Sequence, residues 1–388
     1  MAKIEVVNVT KRFGKFTALK NINLEIKDNE FFVLFGPAGA GKTTLLNNVA
    51  GIQIPEEGLI RFNGEIMNRI DPAHRNVAMV FENYALYPNL TVYENIASPL
   101  RSPLYKKDNA TINREVHRVA ELLRIDHLLE RLPSQISNGQ KQRVAIGRAL
   151  VRDPNVFLMD EPLAHLDAKL RHYMRSELKE MQSSFNTTCI YVTHDFLEAV
   201  SLGDRIAIIN EGSIIQVGTR EEVYYTPCNE FVAALVGEPE INLVDGRLFV
   251  DNGKYYVETL EKGYLLPLPE SSGIVRKLVD SEVTEYHIGF RPNNIKYTFE
   301  KKDGLIRGTV YSFESIGNKA VLIAKVGEKY IRMIAPNDLK VKLDQAVYVE
   351  LPIHKAIFFD AQTTNFIGTS DEAAIYRLVQ EQLSKGVQ

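Results

Sequence analysis

Gly36-Pro37-Ala38-Gly39-Ala40-Gly41-Lys42-Thr43-Thr44 decides how this chain is read. The stretch fits G-x4-G-K-[ST] and stands between an apolar run at 31–35 and a helix-compatible segment at 43–50, the setting such a loop requires. Glycines there let backbone N–H groups converge on phosphate oxygens, and the following helix directs its positive dipole end at them. In such a loop the lysine, here Lys42, neutralises the β- and γ-phosphates, and the hydroxyl of Thr43 ligates Mg²⁺. A nucleotide polyphosphate with Mg²⁺ is therefore the expected ligand. A plain glycine-rich strand-to-helix turn is the bland alternative, and the flanking strand and helix weigh against it.

Working outward, further apolar runs fall at 77–81, 156–159, 189–192 and 206–209. Runs without polar alternation fit strands covered on both faces, as in a parallel α/β sheet. Helical periodicities lie between them: Ile112, Val116, Val119 and Leu123, then Leu170, Met174, Leu178 and Met181. The run at 156–159 ends in Asp160 and Glu161. A strand ending in two acids beside a phosphate loop suits Asp160 for holding Mg²⁺ and Glu161 for polarising the attacking water as general base.

Composition sets limits on the rest. At 388 residues, two or three domains are expected. Lys plus Arg number 46 against 49 Asp plus Glu, a net charge of −3 that argues against a generally basic nucleic-acid binder. No stretch approaches the ~18 to 20 consecutive apolar residues that span a bilayer. The start, Met1-Ala2-Lys3-Ile4-Glu5-Val6, carries an acid early and does not read as a signal peptide. Cys189 and Cys228 form neither a disulfide framework nor a metal cluster, so a reduced, cytosolic setting is expected.

The character of the chain changes near Gly237-Glu238-Pro239-Glu240, which reads as a boundary between domains at 1–236 and 237–388. Beyond it, strand-formers recur between turn signals, as at 306–310, 320–323, 330–334 and 346–351, and suggest a small β-barrel or sandwich. A closing helix is expected from Ser370, with Asp371 and Glu372 in its first turn and Ile375, Leu378, Val379 and Leu383 on one face.

Ser137-Asn138-Gly139-Gln140, preceded by Ile136, narrows the class. With the phosphate loop and the acidic strand end, it resembles the signature of the ATPase subunits of ABC (ATP-binding cassette) transporters, Leu-Ser-Gly-Gly-Gln. The same four residues also spell a helix capping box, and both readings can hold. The resemblance implies a P-loop NTPase core with a helical subdomain at about 88–152, followed by a β-rich, OB-like (TOBE-type) regulatory domain. It implies that Phe13 stacks on adenine, that residues 36–44 cradle the phosphates, and that the Ser137 region contacts ATP held by the opposite subunit. It further implies that His194 is a γ-phosphate switch and that Asp167, in Ala164-His165-Leu166-Asp167, couples the two sites of a dimer.

Two residues depart from the family pattern. Glu82 stands where the family has a glutamine that reaches Mg²⁺ and the attacking water; a carboxylate can still ligate the metal but adds negative charge near phosphate. Asn138 replaces a glycine, at an expected steric and conformational cost. A tolerated variant and a chain that pairs with a different ATPase subunit both remain open, so the partner is a second ATPase subunit, identical or not.

Asn83-Tyr84-Ala85-Leu86-Tyr87-Pro88, Thr91-Val92-Tyr93-Glu94-Asn95-Ile96, Glu222-Val223-Tyr224, Phe231-Val232-Ala233 and Gly289-Phe290-Arg291-Pro292 look like the carbohydrate-importer branch, related to the maltose transporter ATPase. That resemblance implies peripheral attachment to the cytoplasmic face of the membrane, permease subunits docking along 84–100, and an extracytoplasmic solute-binding protein acting indirectly. Polyamine, iron and sulfate importers share the tail, and soluble ABC proteins acting on DNA or ribosomes are the alternative class. Those typically carry two cassettes, coiled-coil insertions or zinc-binding cysteines, which this chain does not show.

Overall fold

The structure is a computed structural model that describes residues 2–371 and 376, apart from 153, 165, 186, 260–263, 270–272 and 318. The chain divides into two compact units, Met1–Arg220 and Glu221–Gln388.

In the first unit the chain runs through β1 (Ile4–Phe13), β2 (Phe16–Ile26), β3 (Phe31–Phe35), α1 (Lys42–Ala50), β4 (Glu57–Phe62), β5 (Glu65–Ile66) and β6 (Val77–Val80). Three helices follow: α2 (Val92–Arg101), α3 (Asn109–Leu122) and α4 (Asn138–Leu150). Alternation then resumes with β7 (Val156–Asp160), α5 (Ala168–Phe185), β8 (Thr188–Thr193), α6 (Phe196–Leu202), β9 (Arg205–Asn210) and β10 (Ser213–Gly218).

The central sheet has the order β10-β9-β3-β8-β7-β6. Strands β9, β3, β8, β7 and β6 are parallel, and β10 closes the edge antiparallel to β9. Every residue of β3, β7 and β8 is buried, so these strands are covered on both faces and their sequences are apolar runs, with polar residues only at the ends (Asp160, Thr188 and Thr193). The order also places the site. The loops after β3, β8, β7 and β6 leave the carboxyl ends of consecutive strands, where open α/β sheets bind ligands. Residues far apart in sequence, near 36–44, 82, 160 and 194, thereby share one edge.

The helices obey local signals. Thr91 and Glu94 form a capping box on α2, Asp108 caps α3, and Ser137 and Gln140 form the box on α4. Gly147 lets α4 approach α3 and α2 closely: a Cβ there would stand 3.1 Å from Leu123 Cδ1 and 3.4 Å from Ile96 Cδ1. On α5, Met174 and Leu178 enter the core, whereas Leu170 is half-buried.

The apolar runs do not announce the antiparallel sheet β2-β1-β4-β5 at the start of the chain. Its long hairpin alternates buried and exposed residues with several register shifts, and Asn8 and Asn21 take positive φ of 51° and 50°. These breaks hide the period of two.

The second unit begins at Glu221, ahead of the boundary expected at 237. The reason is Arg291, which is 3% exposed and donates hydrogen bonds to the carbonyls of Tyr224, Ala233 and Val236. Its guanidinium also lies 4.2 Å from the Tyr224 ring centroid, and Asn229 bridges to Asn365. The segment before Gly237 is thereby fastened to the β-rich part that follows. That part comprises a six-stranded antiparallel sheet, including Asn242–Asp251, Glu285–Phe290 and Ile357–Asp360, and a five-stranded one, including Ile306–Ile316, Lys319–Val326 and Lys329–Ala335. Val244, Ile288, Phe290, Leu322, Met333, Val347 and Phe358 lie in one core between them. The expected closing helix lies at 372–375 and 377–388, outside the described residues. The Ser370 hydroxyl is engaged elsewhere, accepting from Ala356 N at 3.0 Å.

Candidate active site

Strand β3 delivers the chain to Gly36, whose hydrogen side cannot carry a carbon: a Cβ would stand 2.2 Å from the Ile209 carbonyl oxygen on β9. Pro37, Ala38 and Gly39 follow at the surface, and Gly39 takes φ +77°. Gly41, at φ 105°, turns the chain into α1 with no side-chain cap. The first N–H groups of α1, from Lys42 onward through Thr43 and Thr44, consequently have no intrahelical partner and form an anion site. Buried Ala40 anchors the loop, its carbonyl accepting from Gly212 N at 2.9 Å.

Lys42 Nζ donates to the carbonyls of Gly36 and Pro37, each at 2.9 Å, and lies 4.0 Å from Glu161 Oε1. Burial holds its ammonium below the usual lysine range, against the opposing pull of Glu161 and Asp160. Thr43 Oγ1 donates to Asp160 Oδ1 at 3.1 Å. Asp160 is 4% exposed, and burial pushes its carboxyl up to about 6; Glu161 and Glu82 add to the rise, while Thr43 and Lys42 oppose it. Glu161 takes φ 45°, a strained setting for a residue with a side chain, held by its N–H donating to Val192 O at 3.0 Å. That turn aims its Oε2 at His194 Nδ1, 2.8 Å away, and His194 is otherwise largely exposed.

Lys42, Thr43, Asp160, Glu161 and His194 are thus brought together, with exposed Glu82 near enough to act on Asp160. Phe13 closes the β1–β2 hairpin, paired with Phe16, and both rings are exposed, at 47% and 65%. An exposed ring is not a core residue, and Lys11 Nζ sits 5.3 Å from the Phe13 centroid.

Ser137, Gly139 and Gln140 line a different recess, together with Leu166, Asp167, Leu170, Arg124 and Arg143. Ser137 Oγ accepts from Gln140 N at 3.3 Å, and Gln140 Oε1 accepts from Ser137 N at 2.8 Å. The conformational cost expected at Asn138 does not arise. Asn138 is the first residue of α4, is absent from the positive-φ positions, and its Oδ1 accepts from Lys141 Nζ at 3.4 Å. The crowded position is Gly139, where a Cβ would stand 3.1 Å from Leu166 Cδ2. Asp167 caps α5, its Oδ1 accepting from Leu170 N at 2.9 Å.

Two arginines that sequence reasoning passed over organise the surroundings. Arg148 donates to the carbonyls of Ala85 at 2.6 Å and Tyr84 at 3.0 Å, two residues with φ of 45° and 62°. It borders a groove of about 560 Å³ lined also by Phe81, Tyr87, Pro99 and Arg152. Arg171 binds the loops that carry Asp167 and His194. Neither has a motif; both act on backbone carbonyls that only the fold brings near.

A phosphate loop, an acidic strand end and a histidine on adjacent parallel strands, with a capped serine helix in a separate recess, define a P-loop ATPase of the ATP-binding-cassette kind. The chain belongs to the ATP-binding proteins of ABC transporters, and it binds and hydrolyses ATP. The ABC transporter family model matches residues 19–164. The chain is 40% identical to the trehalose/maltose import ATP-binding protein MalK of Thermococcus litoralis, over 94% of this chain and 99% of that one. It is 49% identical to an sn-glycerol-3-phosphate import ATP-binding protein of Rhizobium etli, over 63% of this chain and 70% of that one. Among solved structures it is similar to the ATP-binding cassette MJ0796, a dimer in a post-hydrolysis state bound to ADP and Pi. That match has a TM-score of 0.52 and 31% identity, over 56% of this chain and 98% of that one. Among the described residues, no helix is long and apolar enough to cross a membrane.

Proposed function

We propose that this chain is the ATP-hydrolysing subunit of a sugar importer, working as a dimer whose closure on ATP drives the permease. The observation that carries the reading is the convergence of Lys42, Thr43, Asp160, Glu161 and His194 at one sheet edge, apart from the Ser137 recess. In a head-to-tail pair, ATP would lie between the first surface of one subunit and the Ser137 recess of the other. The dimeric cassette bound to ADP and Pi supports that arrangement, and the import proteins for trehalose/maltose and glycerol phosphate support the transport role.

On ATP binding, Lys42 would leave the Gly36 and Pro37 carbonyls for the β- and γ-phosphates, and the free N–H groups of α1 would take the phosphate oxygens. The donors near these phosphates fit Mg²⁺. Thr43 Oγ1 and Asp160 Oδ1 are hard oxygens 3.1 Å apart, and the charges of Glu161 and Glu82 act on the buried Asp160 carboxyl, with Lys42 as the opposing cation. Thr43, Asp160 and Glu82 would hold the ion, which when bound neutralises charge on the phosphate oxygens. Glu161 would accept the proton of the water that attacks the γ-phosphorus, while the bond to the β-phosphate oxygen breaks and ADP leaves. His194 would orient Glu161 and face the γ-phosphate.

The groove beside Arg148 and Tyr87 supports permease docking along 84–100, which would attach the chain to the cytoplasmic face of the membrane; a solute-binding protein outside the cell would act only through the permease. Co-purification tests the reading. Recovery with hydrophobic permease subunits supports it, and recovery with ribosomes or DNA would overturn it. Cooperative turnover by the purified chain alone would mark a homodimer.

A further inference from the structure

Arg171 sits on the first turns of α5, four positions after Asp167, and its N–H donates to Asp167 O at 2.8 Å. Its guanidinium reaches two segments. Nη2 donates to the carbonyls of Ala164 at 3.3 Å and Leu166 at 3.2 Å, on the loop that carries Asp167. Nη1 donates to Asp195 Oδ2 at 3.3 Å, on the turn that carries His194, and Nε stands 3.9 Å from Glu198 Oε1.

The far side of this bridge is itself braced. Asp195 Oδ1 caps α6, accepting from Glu198 N at 3.1 Å, and Asp195 N donates to Thr193 Oγ1 at 3.0 Å. Thr193 Oγ1 donates in turn to Glu198 Oε2 at 2.8 Å, which also accepts from the buried Tyr191 hydroxyl at 2.9 Å. Displacing Asp195 therefore disturbs the end of β8, the start of α6 and the residue between them, His194.

A partly exposed ion pair of this kind contributes about 0 to 1 kcal/mol to stability. Arg171 is 30% exposed and Asp195 26%, so that pair alone is a weak account of a guanidinium that also donates to two backbone carbonyls and stands beside Glu198. A planar fork that bonds several acceptors at once is suited instead to fixing relative position.

We propose that Arg171 is a positioning residue that locks the Asp167 loop to the His194 turn, so that engagement of the dimer partner at Asp167 sets the histidine at the γ-phosphate. The proposal rests on the roles assigned above to Asp167 and His194. Without the bridge the P-loop is untouched, so ATP still binds, but the histidine and Glu161 lose their register.

The test uses the full chain and two readouts. In steady-state hydrolysis, Arg171→Ala lowers kcat on the order of tenfold or more, the cost of misplacing a catalytic group, while KM for ATP stays near wild type. Arg171→Lys does not restore kcat, because one ammonium cannot span both segments, whereas millimolar guanidinium ion partly rescues Arg171→Ala. In amide hydrogen exchange, Arg171→Ala speeds exchange at 164–167 and 193–198 together. Unchanged kcat, full activity in Arg171→Lys, or faster exchange in only one segment overturns the proposal. A wild-type chain without turnover under any condition contradicts the hydrolytic reading instead, and the exchange result then still decides whether the two segments are locked.

Discussion

Glu161 Oε2 and His194 Nδ1 stand 2.8 Å apart, on turns that leave the adjacent parallel strands β7 and β8. The contact exists because Glu161 adopts φ 45°, which turns its side chain out of the strand direction and toward the neighbouring turn. Of the two acids that end β7, the first faces Thr43 and is buried, and the second faces the histidine and remains partly exposed. One strand end thus supplies two carboxylates with different environments, as the proposed division into metal holder and base requires.

The glycines of the phosphate loop serve different needs, and substitution separates them. Gly36→Ala drives a Cβ to within 2.2 Å of a backbone carbonyl and should cost about 1 to 3 kcal/mol with weakened ATP binding. Gly39→Ala meets nothing within 4 Å and should cost only its left-handed conformation, about 1 kcal/mol. Thermal unfolding and nucleotide titration of the two variants check the order.

Asp160 gives the nucleotide-free chain a pH dependence. Its folded carboxyl titrates near 6 against 3.8 for the ordinary group, chiefly through burial. Its contribution to stability is therefore fully present below pH 3.8 and is lost as pH rises through about 6. Asp160→Asn should raise the thermal midpoint of the free chain at pH 7 relative to wild type, with the advantage shrinking toward pH 4. Calorimetry of Mg·ATP binding should show proton release near pH 6 and almost none at pH 8. Equal release at both would rule this group out.

Arg291 predicts the behaviour of the second unit. Its burial lowers its own affinity for a proton to about 10, yet it satisfies carbonyls of Tyr224, Ala233 and Val236. Arg291→Ala removes its hydrogen bonds to those three carbonyls and should destabilise the unit by about 3 kcal/mol, read by thermal unfolding. Limited proteolysis should then find new cuts at 221–236.

Lys42→Ala should weaken ATP binding itself, since it removes the one ammonium that Gly36 and Pro37 hold at the loop. Fluorescent-nucleotide titration measures this, and binding equal to wild type would assign phosphate recognition to the backbone alone.

The site was largely legible because its chemistry lies in contiguous motifs at strand ends: residues 36–44, Asp160 with Glu161, Ser137 to Gln140, and His194 after an apolar run. The parallel sheet was legible for a related reason, since strands covered on both faces read as unbroken apolar runs. The antiparallel hairpin of β1 and β2 was not, because register shifts and left-handed asparagines interrupt its alternation. Arg171 and Arg291 were invisible for a different reason. Each bonds carbonyl oxygens, which every residue carries, and the acids that Arg171 also meets, Asp195 and Glu198, lie more than twenty residues away in sequence. The same effect moved the boundary from 237 to Glu221, since Arg291 ties the preceding segment to the β-rich unit.

The central claim is that Glu161 is the base of an ATP-hydrolysing site. Single-turnover hydrolysis by Glu161→Gln, alongside ATP titration of the same variant, tests it most directly. The expected result is binding equal to wild type with turnover reduced at least ~100-fold, the lower end of general-base contributions. Turnover comparable to wild type would contradict it.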